Sequence, residues 1–274
     1  MLSENQLVTA ARNGQLDLVK NLIEQGANMH VRNEGPLRWA AMDGHLDVVK
    51  YLIEQGANLH AKNEGALRWA AANGHLDVVK YLVEQGANFH AKDELALRSA
   101  AGYGRLDVVK YLVEQGANFH AKNEGALRWA AANGYLDVVK YLVDGVNKGR
   151  ASHVFLVEQG ADLHTENEEA LRSAANNGHL DVVKYLVEQG ADLHDEDEEA
   201  LRLAAINGHL DVVKYLIEQG ANPQFILNNP NRYQPEIVDY IRKNGGHPFL
   251  LDKPKSYLIK IQDCICNLVK DKRE

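Results

Sequence analysis

The apolar residues of this chain fall into pairs of short amphipathic helical patterns, and the pair recurs every 30 residues from about Gln6 to Asn222. In one copy, Leu67, Ala70 and Ala71 form a single stripe on the first predicted helix, and such a stripe must face a core. The second predicted helix runs from Leu76 to Gly86. A fixed period of this length predicts a solenoid, in which each unit buries its apolar face against its neighbours.

The units are marked by a Gly-x-Leu-Asp step between the two predicted helices. This step occurs seven times, at Gly14, Gly44, Gly74, Gly104, Gly134, Gly178 and Gly208. The period is interrupted once, because Leu127 and Leu171 are 44 residues apart instead of 30. The 14 extra residues lie within about 144–157, and residues 150–159 resemble the end of a second helix that lacks its first. We expect a bulge carrying a short remnant helix.

Helix ends are punctuated at the same place in every unit. Good N-cap residues share one column, namely Ser3, Asn33, Asn63, Asp93, Asn123, Asn167 and Asp197, and Ser3 with Gln6 predicts a capping box. A Glu follows the cap four residues before an Arg, which predicts ion pairs Glu34/Arg38, Glu64/Arg68, Glu94/Arg98, Glu124/Arg128, Glu168/Arg172 and Glu198/Arg202. Glycines close each unit where a left-handed C-cap is expected, at Gly26, Gly56, Gly86, Gly116, Gly160, Gly190 and Gly220.

The repeated unit, Leu-x-x-Ala-Ala-x-x-Gly-His-Leu-Asp-Val-Val-x-x-Leu-x-x-x-Gly-Ala, resembles the ankyrin repeat over about 80% of the chain. The resemblance implies an all-α helix–turn–helix–loop solenoid with a concave groove formed by first helices and loops, which is the usual binding surface of the family. The chain departs from the family pattern in its 30-residue period and in Gly-Ala-Leu-Arg or Glu-Ala-Leu-Arg where the family has Thr-Pro-Leu-His. We therefore expect tighter loops than the family's β-hairpin fingers. The 30-residue variant is similar to ankyrin arrays of giant viruses.

The repeat pattern divides the chain into two predicted parts. Residues 1–222 form the repeat array, and residues 223–274 are predicted to be a degenerate repeat followed by a helical C-terminal cap. Residues 235–244 still have the pattern of a second helix, with proline in the first turn. Residues 254–270 carry apolar residues at helical spacing, and they are expected to cover the last apolar face or, alternatively, to dock a partner.

Charge and composition exclude several classes of function. The formal net charge of −8 makes the chain a poor binder of polyanions, so we expect neither nucleic acid nor an acidic membrane as a partner. No apolar run reaches the length of a membrane span, and no signal peptide is visible. Cys264 and Cys266 are placed for neither a disulfide nor a shared metal. We expect an intracellular protein, in the host cytoplasm if the array is viral.

Twelve histidines raise the question of a metal site. One set recurs in the loops, at His30, His60, His90, His120, His164 and His194. Stacked helices lie about 8–10 Å apart, whereas zinc ligands must lie about 2 Å from one ion, so this ladder predicts residues that hold each loop. No nucleophile, base and orienting group converge, and every glycine is explained by a turn or cap. We expect no metal, no cofactor and no catalysis.

One face of the first helices differs between units while the second helices stay nearly identical. The column opposite Leu67 reads Thr9, Trp39, Trp69, Ser99, Trp129, Ser173 and Leu203. Exposed tryptophans are frequent binding hot spots, and the alternative is that the indoles cover neighbouring helices and stack on the Arg column. The candidate partner-binding residues on this face are Trp39, Met42, Asp43, Trp69, Asn73, Ser99, Tyr103, Trp129 and Asn133.

The loop column changes sign along the chain. It is basic at Arg32, Lys62, Lys92 and Lys122 and acidic at Glu166 and Glu196. This predicts either a solvated charged edge or a bipolar groove that fixes the direction of a partner by charge. The four cations are included among the candidate binding residues, because they could attract an acidic region of the partner.

The sequence predicts a monomeric, non-catalytic scaffold that binds a protein through a concave face, and the partner is expected to be a host protein if the array is viral. A second hypothesis is a substrate adaptor that recruits a bound protein to a host ubiquitin ligase through residues 230–274, although no F-box-like Leu-Pro start is present there. A third is a structural spacer without a specific partner.

Overall fold

The structure is a computed structural model, and it describes residues 2–144, 161–166 and 168–244. In these ranges all regular secondary structure is helical, and no strand occurs. The chain divides into two compact units that are each longer than one repeat: the first unit is residues 1–192 and the second unit is residues 193–274.

The first unit is a stack of antiparallel helix pairs, as the repeat predicts. The pairs are α1 (Leu2–Arg12) with α2 (Leu16–Glu24), α3 (Val31–Met42) with α4 (Leu46–Glu54), α5 (Ala61–Asn73) with α6 (Leu76–Glu84), α7 (Ala91–Gly102) with α8 (Leu106–Glu114), α9 (Ala121–Ala132) with α10 (Leu136–Asp144), and α11 (Glu169–Asn176) with α12 (Leu180–Glu188). First helices pack on first helices and second helices on second helices from one pair to the next. The predicted solenoid is confirmed.

The core is the repeated apolar stripe. In the third pair Leu67, Ala70 and Ala71 are at most 1% exposed, and Val79 and Leu82 of the second helix are fully buried. Alanines on the first helix let neighbouring first helices approach closely, while one leucine per helix fills the space between them. Full burial of each leucine stabilises the stack by about 1.5–3 kcal/mol.

The beginning of α3, α5, α7, α9 and α13 contains a tight left-handed turn, and this contradicts the predicted N-caps. Arg32, Asn33 and Glu34 have φ of 56°, 53° and 60°, and the same three columns are left-handed in the units at 62–64, 92–94, 122–124 and 196–198. Asn33 and its described counterparts therefore shape the turn rather than cap a helix. Asn and Asp are common at N-caps and are also the non-glycine residues that best tolerate left-handed backbone, so the sequence alone supports both structures. Ser3 lies inside α1 instead of ahead of it.

The predicted Glu–Arg ion pairs are also wrong. Glu34 lies in the left-handed turn, so the geometry of a helical i,i+4 pair does not apply to it. Its carboxylate bonds to His30, while Arg38 donates to the main-chain carbonyls of Arg32 and Asn33. In the later repeats an Arg does pair with a Glu, but that Glu lies three residues before the Arg instead of four. An example is Arg172, whose Nη2 lies 2.8 Å from Oε2 of Glu169.

The turn that closes each unit preserves its register across the insertion. In a regular unit the Ala87 amide donates to the Leu82 carbonyl at 2.9 Å. At the insertion the Ala161 amide donates to the Leu142 carbonyl, also at 2.9 Å. The array therefore resumes at Ala161 with the hydrogen bond that a regular unit would make. The predicted bulge and remnant helix lie outside the described residues.

The second unit contains the last regular pair, α13 (Asp195–Asn207) and α14 (Leu210–Glu218), followed by α15 (Gln224–Asn228), a 3₁₀ turn (Pro230–Arg232) and α16 (Pro235–Asn244). The helix predicted over residues 235–244 is confirmed, and its Ile237 and Ile241 are fully buried. Residues 245–274, with the predicted cap helix, the cysteines and most of the adaptor hypothesis's docking segment, lie outside the described residues.

Candidate functional site

The variable column of the first helices points away from the core, as predicted. Trp69 and Trp129 are 40% and 37% exposed, and Trp39 is half-buried. On either side of Trp69 in the sequence, Arg68 is half-buried and Ala70 is fully buried. Residues 1–192 therefore present a strip of large aromatic side chains, Trp39, Trp69 and Trp129, on the face of the first helices that points away from the buried alanines.

Each of these indoles packs against residues of the preceding repeat. Trp39 lies under the Arg12 guanidinium, 4.7 Å from its ring centroid, and Trp129 lies under Arg98 at 5.2 Å. Trp129 also covers Gly102, where an added Cβ would come within 3.1 Å of the ring. Trp69 shares a small groove with Arg38, Trp39 and Met42. The cation–π stacking foreseen as the alternative is therefore present, and it still leaves part of two indoles open.

The neighbouring candidates are arranged around these rings. The Asp43 carboxylate lies 3.2 Å from Nε of Arg12 and holds that cation in place. Asn73 and Asn133 donate to the main-chain carbonyls of Trp69 and Trp129. Tyr103 is 56% exposed, and Ser99 and Met42 are half-buried.

The loop cations border this strip. Lys62 and Lys92 are exposed. Arg32 donates to the Asn5 side chain at 2.7 Å, and the Lys122 ammonium lies 3.1 Å from Asp93. Because both partners are exposed in the Lys122–Asp93 pair, that contact is weak and can be exchanged for a contact to another molecule.

The loop histidines hold each left-handed turn, and the way they do so was not foreseen. Nδ1 of His30, His60, His90 and His120 lies 2.5–2.7 Å from the carboxylate of the Glu four residues later. Those carboxylates, Glu34, Glu64, Glu94 and Glu124, are 4–5% exposed. The repeated His-x-x-x-Glu spacing was the available signal. The same Glu also lies four residues before an Arg, and the assumption of a regular helix favours the Arg as its partner.

The inter-helix histidines join one unit to the next. Nε2 of His45 lies 2.8 Å from the Arg12 carbonyl, and Nε2 of His75 lies 2.9 Å from the Met42 carbonyl. Arg105 takes the same place and donates to the Ala72 carbonyl at 3.0 Å. A residue that satisfies the end of the preceding first helix has a structural role, and Arg105 fills this role in the place of a histidine.

The second helices carry a regular ladder of Lys over Tyr. Lys20 lies over the ring of Tyr51 at 5.7 Å, Lys50 over Tyr81 at 5.5 Å, and the pattern continues to Tyr185. Because the ladder is identical from unit to unit, it supports stacking and offers no residue that could distinguish one partner from another.

Neither metal chemistry nor a membrane span is indicated within the described residues. No group of three His, Cys, Asp or Glu side chains in these ranges could hold a metal ion. No helix in the same ranges is long and apolar enough to cross a bilayer.

The comparison with known proteins agrees with this architecture. The family model described as "Ankyrin repeats (3 copies)" matches residues 7–93, 92–152 and 146–226, which is most of the chain. No curated protein matches the sequence significantly. Ankyrin repeats are generally protein–protein interaction modules, and their proteins are typically non-enzymatic scaffolds. The family match and the stacked helix pairs together show that the chain belongs to the ankyrin repeat family.

Proposed function

We propose that this protein is a non-catalytic scaffold that recognises a protein partner through the first-helix strip of residues 1–192. The observation that carries the proposal is that Trp69 and Trp129 are partly open on the face whose composition differs between units. Exposed aromatic residues beside arginines are the composition that protein interfaces favour. The second-helix face is repeated almost unchanged, so it supplies little specificity.

The loop cations support the finer part of the proposal. Arg32, Lys62, Lys92 and Lys122 lie on exposed loop positions that follow one another along the stack. A row of one charge accelerates association with an oppositely charged surface and fixes its orientation. We therefore propose that the binding surface of the partner is acidic and that the two proteins bind each other inside a cell. If the array is viral, we propose that the partner is a host protein.

The proposal is tested by affinity purification from the native cell with the variant Trp39→Ala/Trp69→Ala/Trp129→Ala. We expect the partner to be lost, because a central Trp often contributes about 2 kcal/mol or more to binding. The matched control is Tyr51→Ala/Tyr81→Ala/Tyr111→Ala, which removes three aromatic rings from the second-helix face and should retain the partner. Circular dichroism melts establish that both variants remain folded. Full retention by the Trp variant would instead support the spacer hypothesis.

A further inference from the structure

The arginines that come directly before the variable column of the first helices are of two kinds. Arg38 donates through Nε and Nη2 to the carbonyls of Asn33 and Arg32 at 3.0 and 2.9 Å. Arg98 donates in the same way to the carbonyls of Asp93 and Lys92, at 2.9 and 3.0 Å. Both guanidinium groups are fixed on the left-handed turn of their own unit.

Arg68 and Arg128 are not fixed in this way. Arg68 makes one long hydrogen bond, 3.4 Å from Nη1 to the Lys62 carbonyl, and its Nε has no partner. Within the described residues, Arg128 has no hydrogen bond or ion pair, and its Nε is likewise unsatisfied. Burial lowers the pKa of Arg98, Asp93 opposes this, and the nearby Arg128 contributes a smaller lowering.

The difference follows from one position in the next unit. Arg38 and Arg98 cross above Gly65 and Gly125, where an added Cβ would come within 2.7 Å of the arginine Cδ. The corresponding residues in the units after Arg68 and Arg128 are Leu95 and Glu169. A side chain at this position blocks the path that the fixed arginines take, so Arg68 and Arg128 are held off their turns.

The same two units carry the open indoles. Trp39 is followed in the next unit by Trp69, whereas Trp69 is followed by Ser99 and Trp129 by Ser173. A serine is too small to cover an indole, which agrees with the 40% and 37% exposure of Trp69 and Trp129. Each open indole is therefore adjacent in sequence to an arginine that lacks a good partner.

On this basis we propose that Arg68 with Trp69 and Arg128 with Trp129 form two equivalent subsites for one acidic, extended protein segment, each binding an apolar side chain on the indole and a neighbouring carboxylate on the guanidinium. The inference rests on the proposed function and specifies its partner. Arginine and carboxylate form strong, charge-assisted hydrogen bonds, and the indole supplies an apolar surface.

The spacing of the subsites sets the spacing of the anchors. The subsites are two repeats apart, and stacked helices lie about 8–10 Å apart, so the distance between the subsites is about 16–20 Å. An extended chain covers about 3.3–3.6 Å per residue. The two anchors are therefore expected about six residues apart.

The charge of the chain's own C-terminal segment argues against that segment as the ligand of the two subsites. Residues 245–274 contain six Lys and Arg residues against four Asp and Glu. Such a segment does not complement arginines and a row of loop cations. The occupant is therefore a segment of another protein.

The test uses the full chain and fluorescein-labelled peptides of Ser and Gly that carry two Asp-Phe pairs. With the Phe residues six apart, we expect binding at least tenfold tighter than for a peptide with one pair, because the second contact is intramolecular. Pairs three apart, or Lys-Phe pairs, should show no such gain. Equal affinity for all spacings, equal binding of the Lys-Phe peptide, or tighter binding of a single-stranded oligonucleotide would overturn the inference.

A variant that touches neither subsite residue gives the sharpest control. Leu95→Gly opens the path above the turn and should let Arg68 become fixed like Arg38, so the two-pair peptide should lose about tenfold in affinity. Leu95→Ala keeps the blocking Cβ and should retain affinity. Arg68→Gln and Arg128→Gln should each weaken the same peptide, and thermal melts check the fold of all four variants.

The outcomes separate this inference from the proposed function. If the native partner needs the tryptophans but ignores Leu95→Gly, Arg68→Gln and Arg128→Gln, the paired subsites are wrong and the scaffold function stands. If the triple Trp variant keeps the partner, both are wrong.

Discussion

At the scale of single residues, the left-handed turns place backbone strain beside specific hydrogen bonds. Three consecutive non-glycine residues with positive φ, such as Arg32, Asn33 and Glu34, are costly, about 1–2 kcal/mol each for residues other than Gly, Asn and Asp. The bond from His30 to the buried Glu34 and the bonds from Arg38 to the turn carbonyls offset that cost. Local propensity alone does not predict such a turn, because the stabilising partners lie up to six residues away.

The His164–Glu168 pair makes the stability of its unit depend on pH. The hydrogen bond to Glu168 raises the pKa of His164 above 6.5, with Asp162 and Asp192 acting in the same direction. Burial raises the pKa of Glu168 above 4.5. The folded state therefore holds protons more tightly than the unfolded state at both groups, and stability falls as pH rises through each raised pKa.

This gives a prediction for His164→Gln. The histidine contribution is complete below pH 6.5 and is lost as pH rises through its raised folded-state pKa. The difference in melting temperature between the unmodified chain and the variant should therefore be larger at pH 6 than at pH 8, as measured by circular dichroism. Glu168→Gln serves as the control, since it keeps a hydrogen-bond acceptor but removes the charge. A difference that stays constant from pH 6 to 8 would contradict the assignment.

At the scale of helices and turns, the sequence predicted most of the structure. Helix pairs, closing glycines and the helix over residues 235–244 followed from the 30-residue period and from proline and glycine punctuation. Two features were beyond reach. Asn33 fits a cap and a left-handed turn equally well, and Glu34 lies four residues from both His30 and Arg38, so spacing could not identify its partner.

The strip formed by Trp39, Trp69 and Trp129 could be predicted from the sequence only in part. A helical wheel identified Trp69 and Trp129 as pointing outward, since the wheel depends on helix geometry alone. The wheel cannot show that Arg12 covers Trp39, that Asp43 is engaged by Arg12, or that Gly65 decides where Arg38 lies. These contacts join different units, so they depend on how the units stack.

Two kinds of glycine turn can be distinguished by substitution. Gly44 and Gly56 both have positive φ, 81° and 94°. An added Cβ would overlap the His75 ring at Gly44 and would meet nothing within 4 Å at Gly56. We expect Gly56→Ala to cost about 1–2 kcal/mol from backbone strain alone and Gly44→Ala to cost more, because His75 must also leave the Met42 carbonyl.

Urea unfolding of the two variants measures this difference directly. The double variant Gly44→Ala/His75→Ala removes the overlap and should lose the interaction term, so the extra cost of Gly44→Ala should shrink in that background. If Gly44→Ala and Gly56→Ala are equally destabilising, the contact between neighbouring turns contributes nothing to stacking.

At the scale of the first unit, residues 1–192, we expect the stability of each repeat to depend on the repeats next to it. Leu7, Leu67 and the equivalent leucines are at most 1% exposed, and each lies between first helices. In a stacked array, the free energy is approximately a sum of unit and interface terms. The hydrogen bond from the Ala161 amide to the Leu142 carbonyl shows that the closing contact of a regular repeat is kept across the insertion.

A cavity in the third pair should therefore divide the stack, whereas the same cavity at the first pair should not. Leu67→Ala and Leu7→Ala each remove a buried side chain at a cost of about 2–5 kcal/mol. After Leu67→Ala, the helix pairs α1–α2 and α3–α4 have lost their supporting neighbour, and fewer than three repeats are not stable alone.

Amide hydrogen exchange measures this effect helix by helix. After Leu67→Ala, exchange should accelerate in α1–α6 and stay slow in α7–α12. After Leu7→Ala, the acceleration should be confined to α1 and α2. Equal acceleration in all helices of either variant would mean that residues 1–192 unfold as one cooperative block, and the nearest-neighbour description of the stack would then have to be abandoned.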